Sequence, residues 1–204
     1  MLDLSQPPIY IIRTGEGAQG EPYLQVKTTS FYTFIYNDRS TGGSHDVTIY
    51  RPNPVDNSYY FIGDYAQNNY HAPTGSSPIV RAINDDPANP LITPPVSYSQ
   101  VWNDKGSGGT HDGSIWFPIP NDGYISIGFV AQTGYNMPTG LSYACLRQDL
   151  VEKSTAGPVI WNDRKSGAHQ DVTLFEINGE PCVFLAQPNY DPYSGQCYRL
   201  KPNV

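Results

Sequence analysis

Residues 102–112 read WNDKGSGGTHD, and the same frame returns at 161–171 as WNDRKSGAHQD and at 36–46 as YNDRSTGGSHD. In each run an aromatic residue precedes Asn, Asp and a base; a Gly stands six positions after the aromatic and a second Asp ten after it. Aligned on Tyr36, Trp102 and Trp161, the copies lie 66 and 59 residues apart. The equivalent residues are Asn37, Asn103 and Asn162; Asp38, Asp104 and Asp163; Arg39, Lys105 and Arg164; Thr41, Ser107 and Ser166; Gly42, Gly108 and Gly167; Asp46, Asp112 and Asp171. An aromatic fourteen positions on is Tyr50, Trp116 or Phe175.

A second block follows in each copy: AQNNYHAPTG at 66–75, AQTGYNMPTG at 131–140 and AQPNYDPYSG at 186–195. It makes Gln67, Gln132 and Gln187 equivalent, and likewise Tyr70, Tyr135 and Tyr190. Two blocks in the same order three times mark an internal repeat. The copies run over about 31–96, 97–156 and 157–204 of a single domain, with 1–30 as an N-terminal closing segment.

Each copy reads as four strands. One ends at the leading aromatic (SYSQVWND), one starts near the second Asp (DVTIYRP), one precedes Ala-Gln (YISIGFVA), and one ends at a late Arg (SSPIVRA). The V-T-I-Y and V-T-L-F runs alternate as half-buried strands do. The Ser/Thr-Gly stretch between the first two is hairpin chemistry, with Gly free to take positive φ. Gly and Pro number 19 each, Tyr 16, and charged residues make up only 15%, a composition of turns and aromatics that suits short strands. Three units of four strands predict an all-β protein with threefold pseudo-symmetry and about twelve strands: a β-prism, or as the alternative a β-trefoil. The Gln-x-Trp signature of trefoil lectins is missing. PPIYIIR is expected to close one sheet against the C-terminus and remove an exposed edge.

The net charge of −7 comes with only 12 scattered Lys and Arg, which excludes nucleic acid held through its phosphates. Cys145, Cys182 and Cys197 make an odd set and are read as free thiols, although Cys182 and Cys197 could pair. The start MLDLSQPPIYII lacks a basic n-region and a long apolar core, so the expectation is a cytoplasmic protein, or one exported without a signal peptide of the usual kind.

The WND…SG…D loop and the GYISIG run at 123–128 resemble the Vps62-type family, whose fold is similar to the β-prism of domains associated with multivesicular-body sorting subunits. The resemblance covers about 31–200 and is best in the middle copy. It implies a membrane-, lipid- or protein-partner recognition module, including the targeting part of a toxin or pore-forming system. Gly-x-x-x-Asp (Gly42 to Asp46, Gly108 to Asp112, Gly167 to Asp171) is also similar to a spacing in β-prism mannose-binding lectins of the jacalin type.

The repeated polar residues have two readings. Asn and Asp at a strand end cap turns, and the later Asp could pair with the base across the hairpin. Alternatively each loop is one wall of a sugar site, with carboxylates and amides for hydroxyls and an aromatic for the ring face. The candidate ligand residues are then Asn37, Asp38, His45 and Asp46; Trp102, Asn103, Asp104, His111 and Asp112; Trp161, Asn162, Asp163 and Asp171; and Tyr70, Tyr135 and Tyr190. Three rigid sites would gain by multivalency. No cofactor is expected; calcium, held by Asp, Asn and carbonyl oxygens, is the metal the loops would suit. No G-x-S-x-G, CxxC or HExxH signature appears, so no enzyme is expected. The expected function is a lectin-like carbohydrate-binding module with up to three equivalent sites and glycans or glycoconjugates as partners.

Overall fold

Where the hydrophobic alternation runs, strands form. The structure, a computed structural model, describes residues 10–13, 20–54 and 56–202. Before copy 1 come β1 (Tyr10–Arg13) and β2 (Tyr23–Thr29). Copy 1 supplies β3 (Tyr32–Asn37), β4 (Thr48–Pro52), β5 (Tyr60–Phe61), β6 (Tyr65–Gln67), β7 (Ser77–Ile83) and β8 (Ile92–Thr93). Copy 2 supplies β9 (Ser97–Asn103), β10 (Gly113–Ile119), β11 (Tyr124–Ile125), β12 (Val130–Thr133), β13 (Cys145–Arg147) and β14 (Val151–Lys153). Copy 3 supplies β15 (Ala156–Asn162), β16 (Thr173–Ile177), β17 (Glu180–Gln187) and β18 (Tyr198–Leu200). The only helical turn among the described residues is a 3-10 turn at Gln148–Leu150.

The repeat is visible in the sheets. Three antiparallel three-stranded sheets carry the WND motifs, in the orders β3-β4-β6, β9-β10-β12 and β15-β16-β17. Each hairpin puts the WND loop between its first two strands, and each has a bulge near the aromatic, as between Ile115 and Trp116. The fourth strand of each copy leaves this sheet. It pairs with the segment that precedes the copy: β7 with β2, β13 with β8, β18 with β14. The fold is thus an all-β threefold prism, with its strands divided among six small sheets rather than three of four strands.

Two further expectations are corrected. The third strand of copies 1 and 2 breaks in two (β5 and β6, β11 and β12) and is continuous only in copy 3. The segment β1 pairs with β2 along Tyr10–Val26 to Arg13–Tyr23, not with the C-terminal strand. The reading of Cys145, Cys182 and Cys197 as free thiols holds: all three are free, and Cys182 does not pair with Cys197. The residues before Tyr10, on which the reading of the N-terminus rests, lie outside the described residues.

One apolar cluster joins the copies. It includes Ile49 and Ile62 from the first, Trp102 and Ile115 from the second, and Trp161, Leu174 and Phe184 from the third. Two points lie on the pseudo-threefold axis. At one, Tyr36 meets Trp102 at 5.8 Å and Trp102 meets Trp161 at 5.6 Å, both edge to face, a favoured geometry for ring pairs. At the other, the equivalent residues Gly63, Gly128 and Val183 touch. A Cβ on Gly63 would stand 2.5 Å from Val183 Cγ1, and one on Gly128 would also strike that methyl.

Candidate functional site

The three WND loops interlock. Arg39 O accepts Thr110 N–H at 2.9 Å, Lys105 O accepts His169 N–H at 2.9 Å, and Arg164 O accepts Ser44 N–H at 3.0 Å. Each loop therefore hands its base's carbonyl to the next, and the ring closes. Within a loop, the hydroxyl of Thr41, Ser107 or Ser166 accepts the N–H two residues on at 3.1 Å. The residue four past the aromatic has positive φ in every copy: Ser40 69°, Gly106 92°, Lys165 65°. So does the glycine six past it: Gly42 77°, Gly108 69°, Gly167 83°. Gly takes this conformation at the least cost, and all three copies use it at the last position, although Ser40 and Lys165 show that a side chain is accepted at similar φ two residues earlier.

The first Asp of each loop is a joint of the fold. Asp38, Asp104 and Asp163 are 2%, 2% and 3% exposed. One oxygen accepts the N–H nine residues on: Val47 at 2.9 Å, Gly113 at 3.1 Å, Val172 at 2.9 Å. In Asp38 and Asp163 the other reaches the preceding copy around the ring. Trp161 Nε1 donates to Asp38 at 3.0 Å, and Trp102 Nε1 to Asp163 at 2.9 Å. Tyr36 has no indole N–H to offer Asp104, and its ring instead fills the space over Gly113, where a Cβ would collide with it. Burial raises the carboxyl pKa of Asp38 and Asp163, while the bonds they accept work against that rise.

The Asn residues are also turn caps. Asn37, Asn103 and Asn162 each accept the N–H of the following base at 3.2–3.3 Å. His111 Nδ1 lies 3.1 Å from Asn37 Oδ1, and Gln170 takes the equivalent place by accepting from Asn103 Nδ2 at 3.0 Å. The displaced His169 therefore does not break the third loop.

Outside this frame, three groups in each copy face solvent. The later aspartates Asp46, Asp112 and Asp171 are exposed, as are the bases Arg39, Lys105 and Arg164. Between them stands the half-buried Tyr of the second block. The Arg39 guanidinium lies 4.1 Å from the Tyr70 ring, Lys105 Nζ 4.7 Å from Tyr135, and the Arg164 guanidinium 4.1 Å from Tyr190. Tyr190 O–H lies 2.9 Å from both Asp163 and Asp171. Tyr135 bonds Asp112 at 3.0 Å, with Asp104 beside it, and Tyr70 bonds Asp38 at 2.9 Å, with Asp46 beside it. Burial, then the two carboxylates, pushes each phenol pKa upward. The expected pairing of the later Asp with the base is replaced, among the described residues, by a cation stacked on Tyr and a Tyr hydroxyl on Asp.

An open cleft of about 640 Å³ lies beside the third trio, with Asn162, Arg164, Phe175, Tyr190, Asp191 and Tyr193 in its walls. Phe175 is the aromatic fourteen past Trp161, so the alignment contained it without marking it as a wall. Asp191 was missed because the equivalent residues are His71 and Asn136, and no single chemistry recurs there.

The expected ligand residues thus divide. Trp102 and Trp161, at 0% and 1% exposure, lie against the axis, and no sugar ring can stack on them. Asp38, Asp104 and Asp163 are closed off in the same way, and Asn37 is 8% exposed. Asp46, Asp112, Asp171, Tyr70, Tyr135, Tyr190, Asn103, Asn162, His45 and His111 remain within reach of solvent. Among the described residues, no three His, Cys, Asp or Glu side chains converge as a metal-binding group. No helix there is long and apolar enough to cross a membrane.

The chain belongs to the Vps62 family: the sequence profile described as vacuolar protein sorting-associated protein 62 matches residues 14–183. Among solved structures, the crystal structure of GNIP1Aa from Chromobacterium piscinae is similar, with a TM-score of 0.72 and 28% sequence identity. The match covers 84% of this chain and 34% of that chain, so the present chain spans about a third of GNIP1Aa. No curated protein matches it.

Proposed function

We propose that the chain is a carbohydrate-binding module without catalytic activity, carrying three related sites around its pseudo-threefold axis. Membership of the Vps62 family and the likeness to GNIP1Aa point to a β-rich binding module. The observation that favours sugar as the ligand is the thrice-repeated exposed trio of carboxylate, tyrosine and base. A sugar hydroxyl pair suits a carboxylate beside a cation, and an aromatic wall suits the apolar face of the ring. The cleft beside Arg164 and Tyr190 has Asp191 as its carboxylate and Phe175 and Tyr193 as the apolar walls, while Asp171 meets the Tyr190 hydroxyl outside that lining.

The rigidity of the interlocked loops fits this role. A preformed site loses little freedom on binding, and three sites on one body raise avidity for a branched or clustered glycan. Asp38, Asp104 and Asp163 support the site, because each lies at the Tyr hydroxyl that also meets the exposed Asp.

The test is a glycan array with the purified protein, run with and without a calcium chelator. Selective binding to one glycan class is expected, with competition by the free sugar. Loss of signal in chelator would bring calcium to the exposed aspartates. A blank array would reject the sugar reading.

The second reading is recognition of a membrane or protein partner, in the sense of a targeting part of a toxin or pore-forming system. What favours it is the ring of Arg39, Lys105 and Arg164. Anionic liposomes containing no glycan would then bind, with affinity falling steeply in salt.

A further inference from the structure

Copies 1 and 2 close their shared seam with a hydrogen bond. Thr133 Oγ1, one residue past the Gln of copy 2, donates to Ile35 O, one residue before the leading aromatic of copy 1, at 3.0 Å. The equivalent pair between copies 1 and 3 is Asn68 and Ile160. Among the described residues no hydrogen bond joins these two, and both line an open cleft of about 410 Å³ instead. Pro188 holds the matching position at the remaining seam and has no donor. Phe117, Phe129 and Leu185 line a smaller cavity of about 160 Å³ between those copies, with mostly apolar walls. The cleft between copies 1 and 3 thus has its own chemistry.

Its floor holds a carboxylate. Glu180 is only 4% exposed, yet it is part of the cleft lining. Oε2 accepts Leu200 N–H at 2.7 Å, and among the described residues no hydrogen bond is formed to Oε1. Burial pushes the pKa of this carboxyl up to about 7, against the Leu200 bond and the nearby Arg199 guanidinium, so its charge is present from about neutral pH upward. Glu176 adds a second carboxylate on the same wall, and no Lys, Arg or His lines the cleft. Asn68, Asn69, Thr74 and the Tyr65 ring complete it from the copy 1 side.

Such a lining repels anions and favours a compact cation. Carboxamides and a hydroxyl are suited to sugar hydroxyls, and Tyr65 to the face of a sugar ring. We propose that this seam binds an amino sugar with a free, protonated amine, the ammonium facing Glu180 and Glu176 and the hydroxyls meeting Asn68, Asn69 and Thr74. There is one such site per chain, because the symmetry does not repeat it. It is independent of the three loop sites, and a blank array for those would leave it standing.

The experiment is an NMR titration of the whole chain at about pH 7.5, above the raised pKa of Glu180, with glucosamine, and with N-acetylglucosamine, glucose and Nα-acetyl-lysine amide as comparators. Saturable shifts at the seam with glucosamine are expected, with binding at least tenfold weaker for the two sugars that lack the charge. Glu176→Gln, at an exposed position, should weaken binding at least fivefold, and Asn68→Trp should block it; both keep the fold testable if Glu180→Gln does not. An Asp46→Ala/Asp112→Ala/Asp171→Ala variant should keep glucosamine binding. The proposal is overturned by equal binding of N-acetylglucosamine, by no saturable binding, or by loss only in the triple loop variant. Binding of the lysine amide as tight as that of glucosamine would overturn the sugar assignment.

Discussion

Replacing Asp163 by Ala removes the acceptor for Val172 N–H and one of two acceptors for Trp102 Nε1, which keeps Gln170 O at 3.0 Å, and for Tyr190 O–H, which keeps Asp171. Each donor left unpaired in the core costs on the order of 1–3 kcal/mol. Asp38→Ala does the same around Trp161, whose Nε1 keeps His45 O at 3.0 Å. Asp104→Ala removes no indole acceptor, because Tyr36 stands where the others have Trp. Urea denaturation should therefore show Asp38→Ala and Asp163→Ala losing about 2–3 kcal/mol, and Asp104→Ala less by the one indole bond to a carboxylate; equal losses would contradict the indole bond as the difference. At this scale the sequence was partly legible. The glycine six past the aromatic announced its positive φ. The position four past it did not, since only Gly106 marks a conformation that Ser40 and Lys165 also adopt. The two aspartates of each loop looked alike, and only burial separates the joint of the fold from the exposed group.

At the scale of the elements, the broken third strand has a local cause. Gly63 and Gly128 end the first half of that strand in copies 1 and 2, and Val183 passes straight through in copy 3. Three side chains cannot share the axis there, so two copies give theirs up. Gly128→Ala should destabilise by roughly 1–3 kcal/mol through overpacking. Combining it with Val183→Ala should cost less than the sum of the two single changes, a coupling that a double-mutant cycle in urea measures. Strict additivity would remove the axial contact from the account. The departure of β7, β13 and β18 to strands outside their own hairpin sheets was not readable, because alternation specifies a strand's faces and not its neighbour.

For the whole molecule, buried carboxylates give the fold a pH dependence. Burial pushes the Glu180 carboxyl from 4.5 up to about 7, so the folded state holds a proton that the unfolded chain releases near 4.5. The stabilisation is complete below about pH 4.5 and is lost as pH rises towards 7, by up to roughly 3 kcal/mol. Asp38 and Asp163, raised for the same reason, add to it in the same direction. The melting temperature should fall between pH 5 and pH 8, and Glu180→Gln should flatten that slope; a wild-type profile rising over this range would contradict it. The threefold body was readable from its two repeated blocks. The cleft between copies 1 and 3 was not, since Asn68 and Glu180 lie far apart in the chain and meet only through the closed ring of copies.

The division of each loop into a buried Asp that builds the fold and an exposed Asp that we propose binds sugar is the centre of this account. The most direct measurement is the glycan-array signal of Asp46→Ala/Asp112→Ala/Asp171→Ala against that of the wild-type chain, with melting temperatures alongside. The account predicts one glycan class bound by the wild type and lost in the triple variant, with melting shifted by only a few degrees. An unchanged glycan signal in the triple variant, or a collapse of its fold, would contradict it.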